Sequence, residues 1–315
     1  MRVDRPDDGE EPPDKHPDRR DEQNGTGDQA ARAGKPPAET RLRQEAYFDL
    51  RVAAAKQDSD VARQATAEEQ AASEKWQEKV AESRWMWSEY QRKWPPTERR
   101  PVDGSADPPG SWRGEGNREL NPAENSRVEA QCDRVAKLEE DRISPAMRAI
   151  ESQDPDRHLV GFARRIKDRD RIKEKVAKSM DEKGRSIEKA ISLMPDLLRF
   201  TLQYDDSRYT QGVWADIARM REQGFKLDIL KNSWSDDQYK GLNSQWIDRD
   251  SGQRIELQFH THSSFEAKEI THPAYERLRI GQPDVFEHMV LEAFQKKVTA
   301  DVPVPPGATD IPDYP

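Results

Sequence analysis

The chain has 315 residues, a formal charge of -9, 33% hydrophobic and 36% charged residues, against about 45–50% apolar and 25% charged in an average globular chain. That polarity excludes one apolar core running through the whole length and predicts that part of the chain is disordered or forms solvated helix. A single cysteine, Cys132, excludes an internal disulfide and a cysteine zinc site, and the acidic balance argues against broad nucleic-acid binding, though a local basic cluster can still hold phosphates.

No apolar run reaches the ~20 residues of a membrane span, and the N-terminus lacks a secretory signal. A soluble protein, cytoplasmic at its site of action, is expected, with secretion by a non-Sec route left open. Residues 1–37 are Asp, Glu, Arg, Pro and Gly with almost no large side chain, and disorder is expected there. Residues 38–93 contain neither Pro nor Gly, which suits one long helix over 38–94. Its Trp76, Val80, Trp87 and Tyr90 recur at helical spacing as one apolar face, expected to dock on the chain's own domain or on a partner, not a membrane. Residues 95–120 read as a linker.

Asn121 then opens a helix as N-cap, with Pro122 in the first turn and Glu124 where a capping box needs it. Val128, Cys132, Val135 and Leu138 form its apolar stripe, and Ser144 with Pro145 re-caps a further helix carrying Met147 and Ile150. Beyond Asp196, Leu198, Phe200, Leu202 and Tyr204 alternate with Arg199, Thr201 and Gln203, the period of a strand with one buried face. Tyr209, Val213, Ile217 and Met220 predict a helix closed by Gly224. Strands follow over 225–231, 242–248 and 255–261, the last two joined through Asp250, Ser251 and Gly252, and then helices over 264–279 and 284–298. The order describes an α+β fold, a mixed sheet flanked by helices, occupying 121–300 with a helical lead-in and followed by a tail over 301–315. Deletion of everything before Asn121 is expected to leave such a domain working.

Four clusters carry candidate chemistry. The basic run Arg164, Arg165, Lys167, Arg169, Arg171, Lys173 and Lys175 places Lys167, Arg171 and Lys175 on one helical face with Arg165 at the helix start, a cradle for a triphosphate unless it is simply solvated surface. Asp196 and Glu256 sit at strand positions, with Glu256, Gln258 and His260 in a row on one face; two such carboxylates can share Mg²⁺, although acids at strand ends are common. Tyr239, ahead of Gly241, can stack on a base or merely pack at a sheet edge. His260, His262 and His272 suggest zinc, but no HExxH or cysteine pair supports it. No P-loop, dinucleotide-binding glycine pattern or nucleophile elbow is present.

Taken together, these elements resemble the synthetase domain of the RelA/SpoT alarmone family over about 158–298. Arg165-Ile166-Lys167-Asp168-Arg169-Asp170-Arg171-Ile172-Lys173-Glu174-Lys175 is similar to the family's basic helix, with Arg171 where Ser is usual; a shifted register through Lys173, Lys175, Ser179 and Lys183 also fits. Asp196-Leu197-Leu198-Arg199 is similar to the Asp that opens the first strand, without the usual Gly. Lys231, Tyr239 and Asn243 fill a Lys, Tyr, His series, and Glu256-Leu257-Gln258-Phe259-His260-Thr261 is similar to Glu-Ile-Gln-Ile-Arg-Thr, followed by a helical His272. The pattern reads most like the branch found as C-terminal toxin modules of bacterial effectors.

The resemblance implies an ATP-dependent pyrophosphokinase that moves pyrophosphate to a nucleotide 3'-hydroxyl. ATP would be held by Arg165, Lys167, Arg171 and Lys175, and Mg²⁺ by Asp196 and Glu256, with Glu256 also the base. The acceptor, GDP/GTP or an adenine nucleotide, would meet Tyr239, Lys231, Asn243, Gln258 and His260. Two readings stay open beside it, pyrophosphate transfer to the 3' end of tRNA and a non-catalytic nucleotide-binding or partner-docking relative. The N-terminal helix would then serve as a handle for an immunity protein or a secretion partner.

Overall fold

The computed structural model describes residues 38–58, 67–95, 107–114, 118–281 and 283–314; the disorder expected over 1–37 lies outside them. In chain order come helices α1 (Ala38–Asp58) and α2 (Ala67–Lys93), a short ribbon of β1 (Trp112–Arg113) and β2 (Glu119–Leu120), and helices α3 (Pro122–Leu138) and α4 (Ser144–Glu151). Strand β3 (Arg157–Val160), helices α5 (Arg169–Lys183) and α6 (Ile187–Ser192), strand β4 (Arg199–Tyr204) and helix α7 (Tyr209–Glu222) follow. Strands β5 (Phe225–Asn232), β6 (Leu242–Asp248) and β7 (Arg254–Thr261) precede helices α8 (His262–Ile280) and α9 (Val285–Ala300).

The sheet order is β3-β4-β7-β6-β5, and only the central pair β4–β7 is parallel. In that pair Phe200 lies beside Leu257 and Leu202 beside Phe259 on an apolar face, against which α7 packs, its Tyr209 hydroxyl donating to the Phe259 carbonyl at 3.0 Å. The opposite face carries Arg199 beside Glu256, Thr201 beside Gln258 and Gln203 beside His260. Alternation predicts that this second face meets solvent. Instead Thr201, Gln203, Glu256, Gln258 and His260 are all buried, because α8 lies across them. The sheet therefore has an apolar interior on one side and a polar interior on the other.

The capping box forms as expected: Asn121 Oδ1 accepts from the Glu124 amide and Glu124 Oε2 from the Asn121 amide, both at 2.9 Å. Ser144 does not break the chain into a new cap. It keeps helical dihedrals, and a π turn over Glu139–Ile143 joins α3 to α4. The wider turn makes room for Pro145, which has no amide to donate and whose ring would clash with an ordinary preceding turn.

The expected long helix is seen as α1 and α2, with residues 59–66 outside the described set, and the two dock in different places. Phe48 of α1 is fully buried, 5.1 Å edge-on from both Trp214 of α7 and Tyr314. On α2, Trp76 donates to Glu266 of α8 at 3.3 Å and Tyr90 to Glu287 of α9 at 2.6 Å. The apolar face of α2 thus docks on its own chain. The expected linker carries the β1–β2 ribbon, and the expected tail is a strap along the sheet: Leu230 and Tyr314 exchange backbone hydrogen bonds at 3.1 and 2.8 Å, and Asn232 donates to the carbonyls of Ala308 and Ile311. Val302, Ala308, Ile311 and Tyr314 are buried, so a few apolar residues anchor a segment whose proline content reads as free, and the strap covers the edge strand β5. No described helix is long and apolar enough to cross a membrane.

Both N-terminal helices contribute core residues, so removal of everything before Asn121 should weaken the fold, contrary to the expectation from composition. Phe48→Ala should lower unfolding stability by about 3 kcal/mol, the usual cost of an emptied aromatic site. Urea denaturation checks this; a change below about 0.5 kcal/mol, the range of surface substitutions, would mean that α1 is not part of the core.

Candidate active site

The site begins with how the chain reaches Asp196. Asp168 caps α5, its side chain accepting from the amides of Asp170 and Arg171, so the helix starts only after it. Residues 165–167 run antiparallel to 197–199 through one bridge, Ile166 to Leu198: the Lys167 amide donates to the Leu197 carbonyl at 3.0 Å and the Arg199 amide to the Arg165 carbonyl at 2.7 Å. Lys167 therefore approaches from this bridged segment ahead of the helix and Lys175 from the second turn of α5. Their ammonium groups converge on Asp196, Lys167 at 2.7 Å and Lys175 at 2.8 and 3.1 Å.

Burial alone would raise the Asp196 pKa, but Lys175 and Lys167 outweigh it and hold the carboxyl well below the ordinary range. Lys167 moves the other way from a normal salt-bridged lysine. Its pKa is lowered because burial, joined by repulsion from Lys175 and Arg199, exceeds the attraction of Asp196. Around Asp196 itself two ammonium groups meet one carboxylate, and Lys167 is largely desolvated there. Such a pocket favours a further anion.

Glu256 lies on the neighbouring strand, its amide donating to the Leu198 carbonyl at 2.8 Å. Its carboxyl pKa is raised, first by burial and then by the charge of Asp196, with Arg199 opposing. Gln258 Nε2 donates to Glu256 Oε1 at 2.5 Å, and Lys268 of α8 donates to Gln258 Oε1 at 2.9 Å. Burial, aided by Arg199, brings the Lys268 pKa down to about 8. Arg199 and Lys268 escaped the sequence reading. Arg199 gains its place from the parallel register that sets it beside Glu256; nothing local marks Lys268, seven residues beyond the strand motif that ends at Thr261.

The other candidate side chains divide. Arg165 Nε donates to the buried Glu139 at 2.6 Å, and its guanidinium lies 4.3 Å over the Phe162 ring. Arg171 bonds to Glu276 of α8 at 3.1 Å. The structure therefore brings Lys167 and Lys175 to Asp196 and engages Arg165 and Arg171 elsewhere. Lys173 of the shifted register bonds to Glu129 at 2.5 Å, on the α3 side of the helix.

Across the sheet, Lys231, Asn243 and Gln258 stand in one register row from β5 through β6 to β7. The Tyr239 hydroxyl is 2.8 Å from His260 Nε2, its ring edge-on to the imidazole, and the other imidazole nitrogen is 2.8 Å from Ser264 Oγ. Burial raises the Tyr239 pKa, reinforced by Glu256, and drives that of His260 well below its usual value. His260 is thus neutral, with both nitrogens used to join the β6 lead-in to the α8 cap. Gly241 makes this contact feasible: at φ +142 it sits where a Cβ would fall 2.8 Å from His260 Cε1 and 3.1 Å from the Phe259 carbonyl. Lys240 donates to the carbonyls of Trp234 and Asp236 and ties the preceding loop. His262 pairs with Asp205 at 3.3 Å and His272 stacks on Tyr275, and among the described residues no three His, Cys, Asp or Glu side chains gather as a metal group. The zinc arrangement is not formed.

Magnesium asks for less of a protein, one or two carboxylates with substrate phosphate and water completing its shell. Asp196 lies not on a strand, as the sequence suggested, but on the turn Pro195–Leu197 that leads into β4, because Pro195 starts a tight turn there. With Glu256 of β7 it offers hard oxygen donors, and its charge adds to the burial that raises the Glu256 pKa. This donor set fits such an ion.

The lowered Lys268 pKa has a stability consequence. Between about pH 8 and its unfolded value the unfolded chain binds more protons at this site than the folded one, so stability rises with pH across that window and the penalty is full below it. Relative to Lys268→Met, the parent protein should gain about 2 kcal/mol between pH 8 and 10, read by urea denaturation at both pH values. A difference that does not change with pH would mean that the amine is not desolvated.

No family model matches the chain, and no curated protein matches it. Among solved structures it is similar to smu.1046c from Streptococcus mutans UA159, at 18% identity over 53% of this chain and 86% of that chain, with a TM-score of 0.36. It is similar to a GTP pyrophosphokinase family protein from Streptococcus pneumoniae, at 15% identity over 55% and 88%, with a TM-score of 0.40. It is also similar to the small alarmone synthetase 1 from Bacillus subtilis bound to its product pppGpp, at 12% identity over 43% and 70%, with a TM-score of 0.31. The solved structures that this chain resembles thus include pyrophosphokinase-family proteins, at a level of likeness that leaves the chemistry to its own residues.

Proposed function

We propose that this chain is an ATP-dependent pyrophosphokinase that transfers the terminal pyrophosphate of ATP to the 3'-hydroxyl of a nucleotide. The observation that supports it most is the convergence of Lys167 and Lys175 on Asp196, on the turn that leads into β4, with the buried Glu256 on the neighbouring strand β7. Lys167 and Lys175 hold the phosphates of ATP by charge-assisted hydrogen bonds, exchanging part of their contact with Asp196 for substrate oxygens. Magnesium, held by Asp196 and Glu256, supplies charge neutralisation on the phosphates when bound.

The acceptor lies on the row Lys231, Asn243 and Gln258, with Tyr239 bordering it. A guanine or adenine nucleotide carrying its own phosphates suits this row, whose outer member is a lysine. The 3'-oxygen forms a bond to the β-phosphorus, the bond from that phosphorus to the α,β-bridging oxygen breaks, and AMP leaves with the bonding pair. Glu256, on the same face of the sheet as Gln258, receives the hydroxyl proton. Docking through the Trp-bearing helix is a weaker reading, since Trp76, Val80 and Tyr90 are already buried within this chain.

Incubation with Mg²⁺, γ-labelled ATP and each candidate nucleotide should yield AMP and a labelled acceptor. Glu256→Gln and Asp196→Asn should each lower that rate by about 10²-fold or more, the usual loss when a group stabilising transition-state charge is removed, with the fold retained by circular dichroism. No AMP and no label in any acceptor, deacylated tRNA included, would overturn the reading.

A further inference from the structure

We infer that Lys268 is a positioning residue that fixes Glu256 through Gln258, so that one carboxylate oxygen is held and the other is presented to the acceptor hydroxyl; this rests on the pyrophosphokinase reading above. The relay has two hydrogen bonds, Lys268 Nζ to Gln258 Oε1 at 2.9 Å and Gln258 Nε2 to Glu256 Oε1 at 2.5 Å. Its direction is set by charge. Turning the Gln258 amide over would place its NH₂ group against an ammonium and its oxygen against a carboxylate, two repulsions in place of two attractions. The cation on α8 therefore determines which end of the amide faces Glu256.

The surroundings support a positioning role over a purely structural one. The Lys268 side chain is only 18% exposed and its nearest carboxylate oxygen, on Glu269, is 3.9 Å away, beyond hydrogen-bond range. It lies 5.0 Å over the Phe265 ring, and a lysine buried this far without a bonded counter-ion is unfavourable for the fold. A neutral side chain of similar length would fill the space at less cost and leave Gln258 free to rotate. Arg199 stands opposite Glu256 across the parallel pair, so the carboxylate is framed from the strand by one cation and from the covering helix by another. Among the described residues, Gln258 is the only side chain hydrogen-bonded to Glu256, and it engages Oε1 alone.

The test compares Lys268→Met, Lys268→Arg and Gln258→Met in the full chain. Lys268→Met and Gln258→Met should each lower kcat by about 10²-fold, the scale of a misplaced reacting group, while KM for ATP stays within about twofold, because its phosphates rest on Lys167 and Lys175. Lys268→Arg, which keeps a cationic donor, should recover most of kcat. An unchanged kcat in Lys268→Met, or a loss that appears in KM for ATP, would overturn the inference; if Lys268→Met fails to fold, Gln258→Met and Lys268→Arg decide it by the same criteria. A readout independent of turnover separates this from failure of the activity itself. The Gln258 side-chain amide protons should exchange at least about tenfold faster in Lys268→Met than in the parent, and equal exchange would show that no relay exists even in a protein without activity.

Discussion

The architecture depends on one charge cluster, the Asp196 carboxylate between the ammonium groups of Lys167 and Lys175. It ties the approach to α5 and the second turn of that helix to the turn Pro195–Leu197 that leads into β4. Removing Asp196 would leave the largely buried Lys167 ammonium without its counter-ion, the costly way to break a pair, whereas Lys175, 41% exposed, is partly screened by solvent. The sign with pH follows from the depressed carboxyl pKa: the contribution is complete above the ordinary carboxylate range and is lost as pH falls through the folded value. The same cluster that holds the fold also concentrates positive charge where a polyphosphate would lie.

A second constraint follows from burying a polar sheet face. Thr201, Gln203, Glu256, Gln258 and His260 need partners once α8 excludes water from them. His260 finds them in Tyr239 and Ser264, Gln258 in Lys268 and Glu256. Gly241 permits the close approach on one side, and the Thr261–Ser264 capping box fixes the helix on the other. Polar networks of this kind position side chains more sharply than an apolar core does, since each amide or imidazole has few satisfactory orientations. A reaction centre on this face inherits that order.

Much of this was legible in the amino-acid order wherever the determining contacts are local. The Asn121–Glu124 box, the strand near 242–248 and the helix capped by Asp284 follow from residues within a turn of one another. Asp196, Lys167, Lys175 and Glu256 stood out because a family resemblance supplied the spacing that connects them. What stayed hidden depends on partners distant in sequence. Arg165 and Arg171 look equivalent to Lys167 and Lys175 until Glu139 and Glu276 arrive from other helices to engage them. Lys268 carries no motif, and Arg199 gains meaning only from the parallel register that sets it beside Glu256. The strap over β5 was masked by its prolines, which outnumber the four apolar residues that anchor it.

The central claim, that Asp196, Lys167, Lys175 and Glu256 form one phosphate-handling centre, is tested most directly by a crystal structure of the full chain with Mg²⁺ and a non-hydrolysable ATP analogue. The account predicts triphosphate oxygens within hydrogen-bond reach of both lysine ammonium groups and the cation on the Asp196 and Glu256 carboxylates. A nucleotide bound elsewhere on the molecule, or phosphates in the pocket with the cation held by other residues, would contradict it.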